Sequence, residues 1–224
     1  MTYSVKRYAL SDVCEVQMGY TARTRLEPTP AIGVPVIQLG DLRGDEDFDP
    51  SKAPLYALGP SFERYWARAG DVLFRSRGER NTAVAIEGDT NSAAIAVLPL
   101  IVLRPKPTLI SGKYLAWCIN QSASQQYFDR CARGTRLRMV PKTCLDELEV
   151  HVPDLATQKI IVEIDSLARR ECALMHQLAD KKLALTSFAL LRQMRNAQPH
   201  GNGAGQSGAR CRQGQSGKSE RTNS

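Results

Sequence analysis

Two clusters of arginine mark where this chain could do chemistry. The first is Arg75, Arg77 and Arg80 in DVLFRSRGERNTAV, where a strand-like run ends in a glycine-containing turn. The second is Arg130, Arg133, Arg136, Arg138 and Lys142 in DRCARGTRLRMVPK, a loop around Gly134 between a helical and a strand-like stretch. A guanidinium presents parallel donors in a rigid fork, which suits phosphate oxygens and the major-groove edge of guanine. Asn81 has the amide that matches an adenine edge, while Ser76, Thr82 and Thr135 carry hydroxyls for phosphate or base. Gln38, Tyr20, Thr21 and Arg23 are second-rank candidates on the same chemistry. The other reading of these residues is a solvated face, with Glu79 and Asp129 as local partners.

Other chemistries find little support. There is no Walker A loop, HExxH pair or GxSxG elbow, and the six cysteines form no CxxC. His151, His176 and His200 fall in three different segments. The acidic run Asp45-Glu46-Asp47 with Asp49 reads as a solvated loop and not as a metal cage. No catalytic or metal-ligating residue is therefore assigned, and the chain is expected to catalyse nothing alone. Scattered cysteines suit a reducing cytoplasm. No apolar stretch approaches 18 residues, and MTYSVKRYAL lacks the apolar core of a leader, so no membrane segment is expected.

The elements that must position the arginines divide the chain in three. Residues 1–153 mix glycine, proline and short β-branched runs, the texture of an α+β domain with a twisted, mostly β core. Strands are expected at 34–38, 71–75, 83–87, 95–103, 137–140 and 147–152. Helices are expected from near Ser11, at 111–120 with Tyr114, Leu115, Cys118 and Ile119 on one face, and at 122–131 with Ser122 as cap. Residues 1–154 carry 19 Lys/Arg against 18 Asp/Glu, whereas 155–224 carry 11 against 5, so any nucleic-acid binding by the first part must use local patches. Residues 199–224 hold six glycines and almost nothing apolar, and are expected to be disordered.

Residues 154–198 are expected to form one long helix, with Asp154 as cap and Pro199 as stop. Alternate steps of three and four give Thr157, Ile160, Ile164, Leu167, Glu171, Leu174, Leu178, Lys181, Leu185 and Phe188, a 3.5-residue repeat with seven apolar members. About 44 helical residues would span roughly 66 Å, too long to fold back onto its own domain along its whole length. The stripe therefore needs another long helix, from a second copy or a partner. Two shorter core helices broken near Asp180–Lys182 are the alternative.

Four stretches carry a resemblance to a known family. They are YALSDVCEVQMGYT, GVPVIQLGDLRG, RAGDVLFRSRGE and GTRLRMVPKTCLDELEVHVPDLATQKIIVEID, in that order over residues 8–165. Together they resemble one half of the specificity (S) subunit of type I restriction-modification systems. Its domain exit, Pro-x-Leu-x-x-Gln-x-x-Ile, falls here on Pro153, Leu155, Gln158 and Ile161. The chain departs from the family pattern at Val152-Pro153, where Pro-Pro is common, and at Thr157-Gln158, where Glu-Gln is common.

The resemblance implies a DNA target recognition domain (1–153), a helical spacer that dimerises and docks the methyltransferase (154–198), and a disordered tail (199–224). It implies recognition of one half of a split site in double-stranded DNA, with Arg75, Ser76, Arg77, Arg80, Asn81, Arg133, Thr135, Arg136, Arg138, Gln38 and Arg23 as candidate contacts. Ile160, Ile164, Leu167, Leu174, Leu178, Leu185 and Phe188 are the candidate dimer seam. S-adenosylmethionine would sit in the partner modification subunit, with a restriction subunit joining where present. Asp41 and Asp71, in Gly-Asp turns, are expected to be structural, because a carboxylate repels phosphate. A helical adaptor that ignores DNA is the alternative; a small nuclease acting alone would need clustered carboxylates with metal geometry.

Overall fold

Uninterrupted apolar runs mark strands covered on both faces, and such a sheet lies at the centre of this fold. The computed structural model describes residues 5–22, 25–29, 32–42, 47–59, 62–78, 80–89, 91–134 and 138–196. Strand β1 (Lys6–Ala9) and helix α1 (Leu10–Val13) lead into β2 (Cys14–Met18), β3 (Val34–Ile37), β4 (Leu55–Tyr56) and β5 (Trp66–Arg68). Then come β6 (Val72–Arg75), β7 (Ala83–Ala85), β8 (Ala93–Ala96) and β9 (Leu100–Pro105). Helices α2 (Gly112–Asn120), α3 (Ser122–Cys131) and α4 (Lys142–Asp146), strand β10 (Glu149–Val152) and helix α5 (Leu155–Asn196) complete the order.

The middle layer is an antiparallel sheet in the order β2-β9-β6-β7. Along β6, Val72 and Phe74 enter one core and Leu73 the other; along β9, Ile101 and Leu103 oppose Leu100 and Val102. The first core is closed by Leu10, Ile110, Leu115, Ile119 and Phe128, with the Phe74 and Phe128 rings 5.1 Å apart. The second core lies against a sheet in the order β4-β3-β8-β5, where β3 and β8 run parallel, and includes Ile37, Ala67, Ala94 and Ala96. Val36, Tyr56 and Ile95 form a third cluster, joined by Tyr20, Tyr65 and Trp66. Strands β1 and β10 pair antiparallel as a separate ribbon, bringing the start of the domain to its exit.

Several expected elements take another form. The helix near Ser11 lasts four residues, because Cys14, Val16 and Met18 alternate with Glu15 and Gln17, and this period of two lets β2 pair along β9. The expected strand 95–103 divides at Pro99, which has no N–H for a ladder; β8 before it joins one sheet and β9 after it the other. Across 137–140 no strand forms among the described residues, and Met139 makes isolated bridges instead. Ser122 is the first residue of α3 and not its cap: Gln121 holds the cap position and its side chain donates to the Trp117 carbonyl at 3.0 Å. Ser111 caps α2, accepting the Tyr114 N–H at 3.3 Å.

The chain forms two compact units, Met1–Glu171 and Cys172–Ser224. Helix α5 is one element of 42 residues, with no break at Asp180–Lys182. Asp154 caps it, accepting the Thr157 N–H at 2.9 Å and the Thr157 hydroxyl at 2.8 Å. Within the first unit the foot of the helix is held by Gln158, which is fully buried. Its Oε1 accepts the Ser111 N–H at 3.0 Å, and its Nε2 donates to the carbonyls of Leu109 (2.8 Å) and Pro153 (2.9 Å). Ile161 and Val162 pack on the first core beside it.

Gln158→Ala would orphan one buried N–H and two carbonyls and leave a small void. The expected loss of stability is about 3 kcal/mol. Urea unfolding of the variant is the measurement, and an unchanged midpoint would remove Gln158 as the anchor. The tail 199–224, expected to be disordered, lies outside the described residues. Among the described residues, no helix is long and apolar enough to cross a membrane.

Candidate nucleic-acid interface

The two arginine loops, far apart in sequence, form one surface. The chain leaves β6 through Ser76, whose N–H and hydroxyl both donate to the Pro99 carbonyl, at 3.3 and 2.6 Å. The Ser76 carbonyl accepts the Val140 N–H at 2.8 Å, and Arg77 bridges Met139 antiparallel. Met139 in turn exchanges both backbone bonds with Arg133, each at 3.0 Å. Segment 138–140 is thus a short rung between Arg77 and Arg133. Gly78 and Gly134 supply the left-handed backbone the two turns need, at φ of 138° and 105°.

The platform beneath this corner is polar, and its amide side chains bond to backbone groups. Asn81 donates from Nδ2 to the Arg75 carbonyl at 2.9 Å, and its own carbonyl accepts from Gln125 Nε2 at 3.0 Å. Asn120, at the end of α2, accepts the Ala83 N–H and donates to the Ala83 carbonyl, both at 2.8 Å, like one rung of a strand. The turn carrying Arg77 and Arg80 is therefore fixed from behind by side chains of the α2–α3 junction. Such rigidity lowers the ordering cost of each contact the arginines make.

The predicted contacts separate into outward and inward groups. Arg77, Arg80, Arg133 and Arg138 are exposed, as is Arg130. Arg138 is held by Asp129, Nη1 to Oδ1 at 3.3 Å. Ser76, Asn81 and Thr82 are buried; the Ser76 hydroxyl donates to the Pro99 carbonyl and Asn81 Nδ2 to the Arg75 carbonyl. Arg75 is half-buried and its guanidinium donates to the Leu42 carbonyl, so it ties the corner to the turn after Gln38. Gln38 itself is half-buried at the end of β3. Thr135, Arg136 and Arg23 lie outside the described residues.

Two Gly-Asp turns share one device. Asp41 accepts the Gln38 N–H at 2.8 Å and Asp71 accepts the Arg68 N–H at 2.9 Å, each three residues back. Burial pushes the Asp71 carboxyl above the usual carboxylate range, against the Arg68 N–H and nearby Arg104. Both carboxylates serve their turns. The sequence reading missed Asn120 and Gln125: each is distant in sequence from the turn it supports, so local pattern carries no sign of the role. Among the described residues no group of His, Cys, Asp and Glu could hold a metal ion.

A second surface runs along α5. Ile160, Ile164, Leu167, Leu174, Leu178, Leu185 and Phe188 are each more than half exposed. They are the seven apolar members of the 3.5-residue repeat.

The comparisons with known proteins converge. A chain from a study of complex assembly and conformational transition in the type I R-M system matches with a TM-score of 0.61 and 20% identity, over 84% of this chain and 44% of that one. The HsdS subunit from Thermoanaerobacter tengcongensis matches with a TM-score of 0.56 and 19% identity, over 79% of this chain and 40% of that one. At these identities the likeness is one of fold, and the chain spans less than half the length of either relative. No curated protein matches it. The family model for the type I restriction modification DNA specificity domain matches residues 4–181, most of the chain, and with the fold and the arginine corner in agreement, this protein belongs to that family.

Proposed function

We propose that the chain is a non-catalytic DNA-specificity subunit of a type I restriction-modification complex, reading one half of a split site through its arginine corner. The observation that carries this reading is the exposed cluster Arg77, Arg80, Arg133 and Arg138, mounted on a rigid platform inside a DNA specificity domain. Arginines on the phosphates set register, and side chains around them enter the major groove to choose bases. Arg136, Thr135, Arg23 and Gln38 remain candidates for that second role. The adenine chemistry and its S-adenosylmethionine belong to the modification subunit, and a restriction subunit joins where the system has one. The described cysteines are free, which suits the cytoplasm.

The seam on α5 takes a second copy, so that two recognition domains read a palindromic split site. At about 100° per residue, Leu183, Leu190, Leu191 and Met194 form another stripe on the opposite side of the helix. These are 49–69% exposed, and this is the face offered to the modification subunit. The helical-adaptor alternative has no observation in its favour.

The test is to co-express the chain with the modification subunit of its own locus and to map modified adenines in the host DNA. A split palindromic motif that vanishes when the chain is deleted is the expected result. A stable complex without any motif would reject the specificity role.

A further inference from the structure

An apolar side chain stands at the centre of the arginine corner: Met139 is bridged by Arg77 on one side and by Arg133 on the other. We infer that Met139 reads a thymine in the half-site, its thioether chain packing on the C5-methyl group while the flanking arginines take the phosphate walls of the major groove. This deepens the specificity reading above and rests on it.

The pairing of the segments puts these side chains on one face. Residues directly opposite in an antiparallel pair project to the same side, and their neighbours along each strand to the other. Arg77, Met139 and Arg133 are all exposed, Met139 at 40%. The neighbouring Ser76 and Val140 are buried, and Ala132 packs with Val140 on the first core. One face of this ribbon is thus anchored in the domain, and the other presents a methionine between two arginines.

Its width suits the groove. Arg133 and Met139 exchange both backbone bonds at 3.0 Å. Arg77 bridges Met139 from the other side, next to the 2.8 Å bond from the Val140 N–H to the Ser76 carbonyl. A hydrogen-bonded pair beside a non-hydrogen-bonded one sets the Arg77 and Arg133 backbones about 10 Å apart. The major groove is about 12 Å wide and admits a β-ribbon. Entering it face first, the ribbon carries a guanidinium to each wall and Met139 to the floor.

Chemistry decides what Met139 finds there. A thioether cannot donate and is at most a weak acceptor, so phosphate and the polar base edges offer it little. The apolar group in that groove is the thymine methyl, and a flexible, polarizable side chain packs well on it. A lone exposed methionine elsewhere on a surface would carry no such meaning. Here two cations bring it to a polyanion.

The test uses the full chain bound to the modification subunit of its own locus. The probe is the duplex carrying the motif found by mapping modified adenines. Each specified thymine is replaced in turn, in both half-sites, by uracil, which lacks only the C5-methyl. One such replacement is expected to weaken binding about fourfold per half-site, the worth of one buried methyl, and so about sixteenfold for both. Met139→Ala should lose a similar factor on the thymine duplex and bind the uracil duplex no worse. Its salt slope should be unchanged, because no charge is lost. Met139→Leu, which keeps an apolar side chain, should keep the discrimination.

A parent complex indifferent to every uracil would overturn the inference without any variant. Sensitivity that persists in Met139→Ala would assign the methyl to another side chain and overturn it as well. Either failure leaves the specificity reading standing, since a motif has by then been found. Absence of any motif would reject both.

Discussion

Replacing Arg77, Arg80 and Arg133 together by alanine is expected to weaken DNA binding by the assembled complex about a hundredfold per recognition domain near 0.15 M salt. Each guanidinium that neutralises one phosphate contributes roughly 0.9 to the slope of log affinity against log salt. Three such contacts give a slope of about 2.7, and projecting that slope from 1 M down to 0.15 M salt yields about two decades. The decisive quantity is the slope, because it separates contact from support. Ser76→Ala removes the hydroxyl bond to the Pro99 carbonyl and should lower stability while leaving the salt slope unchanged. The triple variant should flatten the slope with little effect on stability, since all three side chains are exposed. Fluorescence anisotropy over a salt series measures both. A triple variant with the parent's slope would mean that the corner does not touch DNA. Arg138 alone should matter less, because Asp129 already engages its guanidinium.

How much of this was legible in the sequence follows from the physics of each element. The strand expected at 71–75 and the apolar run at 95–103 stood out because strands buried on both faces demand unbroken apolar residues, but the run does not show that it divides at Pro99 between two sheets. A helix was expected from near Ser11, and its early end at Val13 was not legible: the alternation of the strand Cys14–Met18 spans only five residues, and its partner β9 lies far along the chain. Helix α5 was legible throughout, since the absence of glycine and proline and the 3.5-residue repeat are local signals. The arginines were legible as residue types, but their union was not. Two backbone bonds between Met139 and Arg133 and a bridge to Arg77 create it, and no local pattern encodes them. Ser76 and Asn81 show the converse limit. A hydroxyl or an amide has the same chemistry toward a backbone carbonyl as toward a base, and only burial decides which it serves.

Substituting aspartate for Leu174 and Leu178 is expected to convert the proposed dimer to monomer at any practical concentration. Burying a leucine is worth about 2 kcal/mol, and the proposed pair of helices would bury four at these two positions. Their loss alone removes about 8 kcal/mol, or nearly six decades of affinity, before the repulsion of four new carboxylates is counted. The recognition domain should be indifferent, because neither leucine enters its cores and both are more than half exposed in the single chain. Sedimentation should therefore show the mass halving while thermal unfolding of the domain stays where it was. An unchanged mass would mean that the seam is not the dimer contact, and an altered unfolding midpoint would mean that these leucines also support the fold. The functional consequence is sharper than the thermodynamic one. A monomer holds a single arginine corner and one half-site, so the salt slope per chain should persist while preference for a split site over an isolated half-site disappears. Retained preference for the split site in a monomeric variant would require one chain to read both halves, for which the described residues offer a single arginine corner.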